Sequence, residues 1–409
     1  MPLIVGVREH HWHQWQWCME SLFIVKKRLL VMIRTYKFRL YPSRKQQELL
    51  VQHSDLARWL WNELLAETKK HYQLFSYFLS KQALQLMCKR YGLYSQTAQA
   101  VAHKVFNSVL CYLKFKKQGV KCGFPRFKSK HKGTQSIHYP QSGFEFINEN
   151  KLRITPFGNL TIKKHRRIEG EMKTLTVKRT PTGKWFVTIV SELPDPLPVP
   201  LIQKAVGVDL GLEKLATLST GIIIPNPRHL KTLEQRLKIQ QCKLSKKVKR
   251  SKNYVKQSKR VAVVHERVSN ARHDYLHKAT NYLVKNYSYI ALEDLRVKNM
   301  QQNHHLANSI SDASWSTFTS YLEYKAESAS TTIKFVNPRN TSQKCNGCSA
   351  IIRKSLSQRV HKCSCGIECD RDLNSAINIL NKATAGHAGS NALRNDSAEP
   401  SMMREALFI

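Results

Sequence analysis

Two apolar runs, far apart in the chain, each stop at a carboxylate. Val206-Gly207-Val208 runs into Asp209, and Ile290-Ala291-Leu292 runs into Glu293. Short apolar runs of this kind read as buried strands, which need other layers packed on them. They also pose an electrostatic problem. An acid at the end of a buried strand is costly to desolvate unless a cation holds it. The chain carries 67 Lys and Arg against 28 Asp and Glu, so acids are scarce and their placement is informative. A third acidic signature, Asp370-Arg371-Asp372-Leu373-Asn374-Ser375-Ala376, lies just after a cysteine cluster.

The charge balance leaves a net +39 on 409 residues, and 42 % of the residues are apolar. That length allows two or three domains, each with a real core. So strong a positive field attracts polyanions, and nucleic acid is the expected partner; an anionic membrane surface is the alternative. The basic residues are spread along the chain, which favours a long grooved contact with steep salt dependence. The apolar stretch from Leu22 to Met32 is interrupted by Lys26-Lys27-Arg28 and is too short to span a bilayer. With no secretory signal, a reducing, cytoplasmic setting is expected.

Residues 1–31 are rich in Trp and His without a clear period, and read as an extension ahead of a start at Met32. His11-Trp12-His13 imitates the His-hydrophobe-His pattern of single-strand transposases, but no strands surround it. From Ile33 to Tyr41 apolar and basic residues alternate as in a half-buried strand, and Ser43 then caps a helix. Residues 44–118 carry helical spacing. Gly119 to Lys132 interleaves basic residues, Lys128 among them, with Phe124 and Phe127. The aromatics there either stack on unpaired bases or tuck inward. Residues 134–193 read as strands, with a hairpin at Thr180-Pro181-Thr182-Gly183-Lys184, and prolines at 194, 196, 198 and 200 mark a linker. Strands then alternate with helices, the sign of an α/β sheet. Between them, His229 to Asn286 is helical in pattern and very basic. Lys246, Lys247, Lys249, Arg250, Lys256, Lys259 and Arg260 are its candidate phosphate contacts, with Leu233, Leu237, Leu244, Val248 and Val255 partly marking an apolar face.

Three convergent carboxylates have a specific use. Phosphodiester displacement is catalysed by two Mg²⁺ ions about 3.5–4 Å apart, which need hard oxygen ligands from separate elements. Asp209, Glu293 and an acid opening the C-terminal helix meet that need, with Gly211 expected to let a substrate backbone approach. The ten cysteines divide in two. Cys18, Cys88, Cys111, Cys122 and Cys242 are scattered; Cys345, Cys348, Cys363, Cys365 and Cys369 crowd together. Cys345-Asn346-Gly347-Cys348 is a metal knuckle, and Cys363-Ser364-Cys365 a shortened second one. Four thiolates suit a structural, tetrahedral Zn²⁺; the fourth is Cys365, with Cys369 the alternative.

These residues resemble the TnpB (OrfB) family of insertion-sequence proteins, relatives of type V CRISPR nucleases. The likeness runs from about Met32 to Leu380. It rests on Tyr36-Lys37-Phe38-Arg39-Leu40-Tyr41-Pro42, Gly207-Val208-Asp209-Leu210-Gly211, Ile290-Ala291-Leu292-Glu293-Asp294-Leu295, Thr341-Ser342-Gln343-Lys344-Cys345 and Asp370-Arg371-Asp372-Leu373-Asn374. The resemblance implies an α/β, RNase H-like (RuvC) nuclease domain over residues 205–340. A zinc ribbon at 341–369 and a last helix at 370–382 follow, then a loose tail at 383–409. It also implies an N-terminal β-barrel wedge at 32–193 with the helical insertion at about 44–118, joined through a linker at 194–204. The implied triad is Asp209, Glu293 and Asp372, with Asp370 the runner-up and Mg²⁺ or Mn²⁺ bound. The implied activity is RNA-guided DNA cutting with a guide RNA from the element's end, strand transfer being left to a separate transposase protein. A direct DNA transposase and a non-cutting, zinc-stabilised regulator are the competing readings. Ser375 stands where the family often has Ala, which a helix should tolerate.

Overall fold

The computed structural model describes residues 32–88, 92–130, 136–194, 204–355 and 358–385. The N-terminal extension with its His11-Trp12-His13 pattern, Lys132, nearly all of the Pro-rich linker and the tail beyond 385 lie outside the described residues. The chain divides into two compact units, Met1–Asp195 and Pro196–Ile409.

The first unit opens with β1 (Met32–Tyr41), which buries Tyr36, Phe38 and Leu40 on one face, as its alternation requires. Ser43 then caps α1 (Arg44–Phe75) in a reciprocal capping box with Gln46. The helical segment is not continuous. Ser76 adopts a left-handed conformation and ends α1; α2 (Lys81–Met87) and α3 (Ser95–Lys117) follow. The three helices share a core of Leu60, Trp61, Leu64, Leu84, Ala102 and Val105.

Six further strands complete this unit: β2 (Ser136–Tyr139), β3 (Phe144–Asn148), β4 (Lys151–Ile154), β5 (Gly158–Lys163), β6 (Glu171–Arg179) and β7 (Trp185–Leu193). Their order is β2-β6-β7-β1-β5-β4-β3, antiparallel throughout. A flat sheet would put its outer strands about 29 Å apart, at about 4.8 Å per strand. Yet β2 and β3, the two edges, are consecutive in sequence, and the reach from Tyr139 to Phe144 is at most about 18 Å. The sheet is therefore strongly curled. Tyr139 Oη on one edge donates to the Thr155 carbonyl beyond β4 at 2.6 Å. No β2–β3 ladder closes the ring among the described residues.

The second unit holds a five-stranded sheet in the order β10-β9-β8-β11-β12. The strands are β8 (Ala205–Leu210), β9 (Lys214–Leu218), β10 (Ile223–Pro225), β11 (Tyr289–Glu293) and β12 (Thr332–Val336). β8, β11 and β12 run parallel; β9 and β10 are antiparallel additions. The helices are α4 (His229–Ser245), α5 (Lys252–Asn286), α6 (Val297–Met300), α7 (His304–Ala313) and α8 (Trp315–Ser328). Leu276 and Leu283 of α5 and Phe318 and Leu322 of α8 pack with Val206, Val208 and Leu292 on one face of the sheet.

After a small two-stranded ribbon, β13 (Val360–Lys362) with β14 (Glu368–Asp370), comes α9 (Arg371–Thr384). Its Ile379 and Ala383 pack with Ala291 and Val336 on the opposite face. Gly207 makes that contact possible: a Cβ there would lie 2.0 Å from the Ala376 carbonyl oxygen of α9. Gly211 leaves room within its own turn, where a Cβ would stand 2.8 Å from the Lys214 carbonyl oxygen. Val248 and Val255 do not join an apolar face. Val248 lies in the turn between α4 and α5 at 79 % exposure, and Val255 is 61 % exposed.

Candidate nuclease and zinc sites

The register of β8 and β11 brings the first two acids together. Val208 pairs with Leu292 in parallel, so Asp209 and Glu293 end adjacent strands side by side. Alternation sends Val208 and Leu292 into the α5–α8 core and turns Asp209 and Glu293 toward α9. Asp370 is the N-cap of α9, which puts Asp372 in its first turn. Ser375, one helical turn on, donates its hydroxyl to Asp209 Oδ1 at 3.2 Å. All three acids remain reachable by solvent; the side chain of Asp372 is 16 % exposed.

Electrostatics separates the acids. Enclosure by protein, then the charges of Glu293 and Asp372, push the Asp209 carboxyl well above the usual carboxylate range, although Ser375 and Arg371 pull it down. Burial also raises Glu293, offset by the Thr341 hydroxyl and the Lys382 ammonium. Asp370 behaves differently. Its burial is outweighed by Lys214, 2.8 Å away, and by the amides of Asp372 and Leu373, so its carboxyl sits low. Asp370 is thus occupied as a cap and ion pair, while Asp372 adds its charge to the Asp209–Glu293 pair.

Sequence reading missed the groups that hold this arrangement. Thr341 donates to Glu293 Oε1 at 2.5 Å. Asn374, Asn378 and Lys382 form a stripe along α9 at four-residue spacing. Asn374 Nδ2 donates to the Lys344 carbonyl at 2.8 Å, and its Oδ1 accepts from the Asn346 amide at 3.1 Å. Asn378 Nδ2 donates to the carbonyls of Thr341 and Lys344 at 2.8 and 2.6 Å. Lys382 holds the carbonyls of Asn337 and Arg339 at 3.2 and 2.5 Å. One helix face therefore fixes the chain between β12 and the first cysteine knuckle, and with it Thr341.

The sulfurs of Cys345, Cys348, Cys363 and Cys365 all lie within 4.8 Å of one another. Cys345 and Cys365 are 3.7 Å apart, Cys348 and Cys363 3.4 Å. Cys369 is outside the group; it sits in β14, paired with His361. The Cys348 amide lowers the Cys345 thiol to about 7, and the Cys365 amide lowers Cys363 to about 6. The Ile367 amide lowers the Cys365 thiol, but hydrogen bonds to the neighbouring sulfurs and burial outweigh it and push the thiol up to about 12. Four soft donors, two of them ready to ionise near neutrality, fit a tetrahedral Zn²⁺.

The candidate phosphate contacts are divided between the two units. Lys246, Lys247, Lys249 and Arg250 lie in the exposed turn between α4 and α5, and Lys256, Lys259 and Arg260 are exposed on α5. Lys128 belongs to the first unit, where its ammonium lies 3.6 Å from the centre of the Trp61 ring. Phe124 turns inward against Phe78 and Tyr112, whereas Phe127 is 58 % exposed.

A chain from Streptomyces pristinaespiralis named "Putative RNA-guided DNA endonuclease" is 34 % identical over 377 residues, spanning 88 % of this chain and 92 % of that one. The family model described as "Probable transposase" (OrfB_IS605) matches residues 188–304. This chain belongs to the TnpB (OrfB) family. A second relative, "Putative RNA-guided DNA endonuclease InsQ" of Escherichia coli, is 29 % identical over 87 % of this chain and 93 % of its own. The "Cas12f1-like, TNB domain" model matches residues 315–379, the stretch from α8 through the cysteines into α9. A "Helix-turn-helix domain" model matches 32–75, where the structure has β1 followed by one unbroken helix. The mixed α/β fold is that of a chain in the "Cryo-EM structure of the Cas12f1-sgRNA-target DNA complex": TM-score 0.54, 14 % identity, 86 % of this chain and 99 % of that one. No helix among the described residues is long and apolar enough to cross a membrane.

Proposed function

We propose that this TnpB-family chain is an RNA-guided, divalent-metal-dependent DNA endonuclease encoded by a mobile element. The observation that carries the reading is the Asp209 carboxyl, enclosed beside Glu293 and Asp372 at the end of two parallel strands. Like charges held together in this way are relieved by a cation.

On this reading the second unit is an RNase H-like RuvC domain, the cysteine segment a zinc ribbon, and the curled sheet of the first unit a wedge barrel carrying α1–α3. Asp209, Glu293 and Asp372 would hold two Mg²⁺ or Mn²⁺ ions, whose chemistry would be to activate a water and stabilise the leaving oxygen. The protein's own work is positional. Ser375 orients Asp209, Thr341 orients Glu293, and the Asn374–Asn378–Lys382 stripe keeps Thr341 in place. The cysteines take a structural Zn²⁺. The partners are a guide RNA from the element's end and target DNA, with strand transfer left to a separate transposase, in the cytoplasm. The names of the two relatives support this choice over a direct transposase.

The test is purification with co-expressed element RNA, followed by incubation with DNA that matches or mismatches it. The proposal expects cutting of matched DNA alone. Cutting indifferent to the RNA sequence would refute guidance.

A further inference from the structure

His361 lies in β13 at 0 % exposure, beside the cysteine cluster but outside its four sulfurs. Its two ring nitrogens meet different surroundings. Nδ1 faces the Lys354 ammonium, which also donates to the Ser342 carbonyl at 3.3 Å. Nε2 is enclosed and makes no hydrogen bond to the described residues. A buried polar atom without a partner is rare in a folded protein and asks for a specific reason.

The lysine decides where the imidazole proton sits. An ammonium has three donors and no acceptor, so Nδ1 must accept from Lys354. The single proton of a neutral imidazole is then on Nε2. The side chain acts on the Cys345 sulfur. The Cys348 amide lowers that thiol most; burial opposes it, and the Gly347 amide, His361 and Cys365 lower it further. Cys369 stands directly across the ladder from His361, yet its thiol responds to burial and then to the charges of Lys354, Asp370 and Cys345.

Cys345 is also the sulfur with the greatest need of a donor. It is buried, whereas Cys348 and Cys365 are exposed and Cys363 is half-buried. Water can solvate charge on the exposed sulfurs but not on Cys345, so its thiolate depends on protein donors. Four thiolates outweigh the charge of one Zn²⁺, and N–H groups aimed at sulfur disperse the excess while fixing the ligand's direction.

We propose that His361 is a positioning residue of the zinc site: Lys354 holds its proton on Nε2, and Nε2–H donates to the Cys345 thiolate when the metal is bound. The proposal rests on the zinc reading of the four cysteines and not on cutting. Full-length parent, H361F, H361Q and K354M are purified with zinc, and its transfer to a chromogenic chelator is measured. The same proteins purified from cobalt-supplemented medium give the thiolate-to-cobalt absorption band. H361F is expected to hold zinc about 10–100-fold more weakly, with the band moved to longer wavelength because the sulfur donates charge more readily. H361Q, which keeps an N–H, should restore both toward the parent, and K354M should fall between. Should H361F fail to fold, K354M carries the test. Parental affinity and band in H361F, or in K354M in its place, would overturn the proposal, as would an H361Q as impaired as H361F. A parent that holds no metal through thiolates would instead overturn the four-cysteine reading itself.

Discussion

Ser375 Oγ donates to Asp209 Oδ1 across 3.2 Å, joining the last helix to the first acidic strand. The bond opposes the enclosure that drives the Asp209 carboxyl upward. Ser375 therefore does more than fill a helix position where alanine would serve equally. Ser375→Ala should leave the fold intact and raise Asp209 further. The expected outcome is a cleavage–pH profile displaced upward with a similar plateau. A profile unchanged in position would show that the hydroxyl does not tune Asp209.

Asp209 also makes a stability prediction. Its folded carboxyl titrates above the unfolded value of about 3.9. The folded state then binds more protons than the unfolded state, so stability falls as pH rises from about 4 toward the folded value. Asp209→Asn removes that titration. In Mg²⁺-free buffer, with the zinc left in place, the variant should gain on the parent as pH rises, by up to about 1.4 kcal/mol per pH unit inside the window. Paired urea melts at pH 4 and pH 7.5 check this; an equal difference at both would contradict it.

The α9 stripe is tested at Asn378, whose amide holds the buried Thr341 carbonyl and the half-buried Lys344 carbonyl. Asn378→Ala leaves the Thr341 carbonyl without that donor and should cost about 1–3 kcal/mol, read by chemical denaturation. Because Thr341 then loosens its hold on Glu293, cutting should fall even where the protein remains folded.

How much of this was legible in the sequence depends on range. Period-two alternation gave β1, and Ser43 with Gln46 is a local signature of a helix start. The apolar runs ending at Asp209 and Glu293 marked β8 and β11 for the same reason. The break before α2 was hidden because Ser76 ends α1 through a left-handed backbone conformation rather than through Gly or Pro. Thr341, Ser375 and Asn378 were missed because each bonds a partner at least 37 positions away, and no local spacing encodes such a contact. The approach of the Lys214 carbonyl to Gly211 was not legible because the two become neighbours only when the turn forms.

The cysteine geometry predicts different fates for two neighbouring thiols. Cys365→Ser should lose Zn²⁺ and destabilise the ribbon, whereas Cys369→Ser, outside the four-sulfur group, should retain about one zinc per chain. Elemental analysis of the purified variants decides. Zinc lost from Cys369→Ser and kept in Cys365→Ser would reverse the assignment.

The central claim is that Asp209, Glu293 and Asp372 form one metal-binding unit while Asp370 serves as a cap. It is tested most directly by measuring single-turnover cutting of matched DNA by RNA-loaded D209A, E293A, D372A and D370A in Mg²⁺. The account predicts no measurable cutting by the first three and residual cutting by D370A. Wild-type rates from D209A, or loss in D370A with D372A still active, would contradict it.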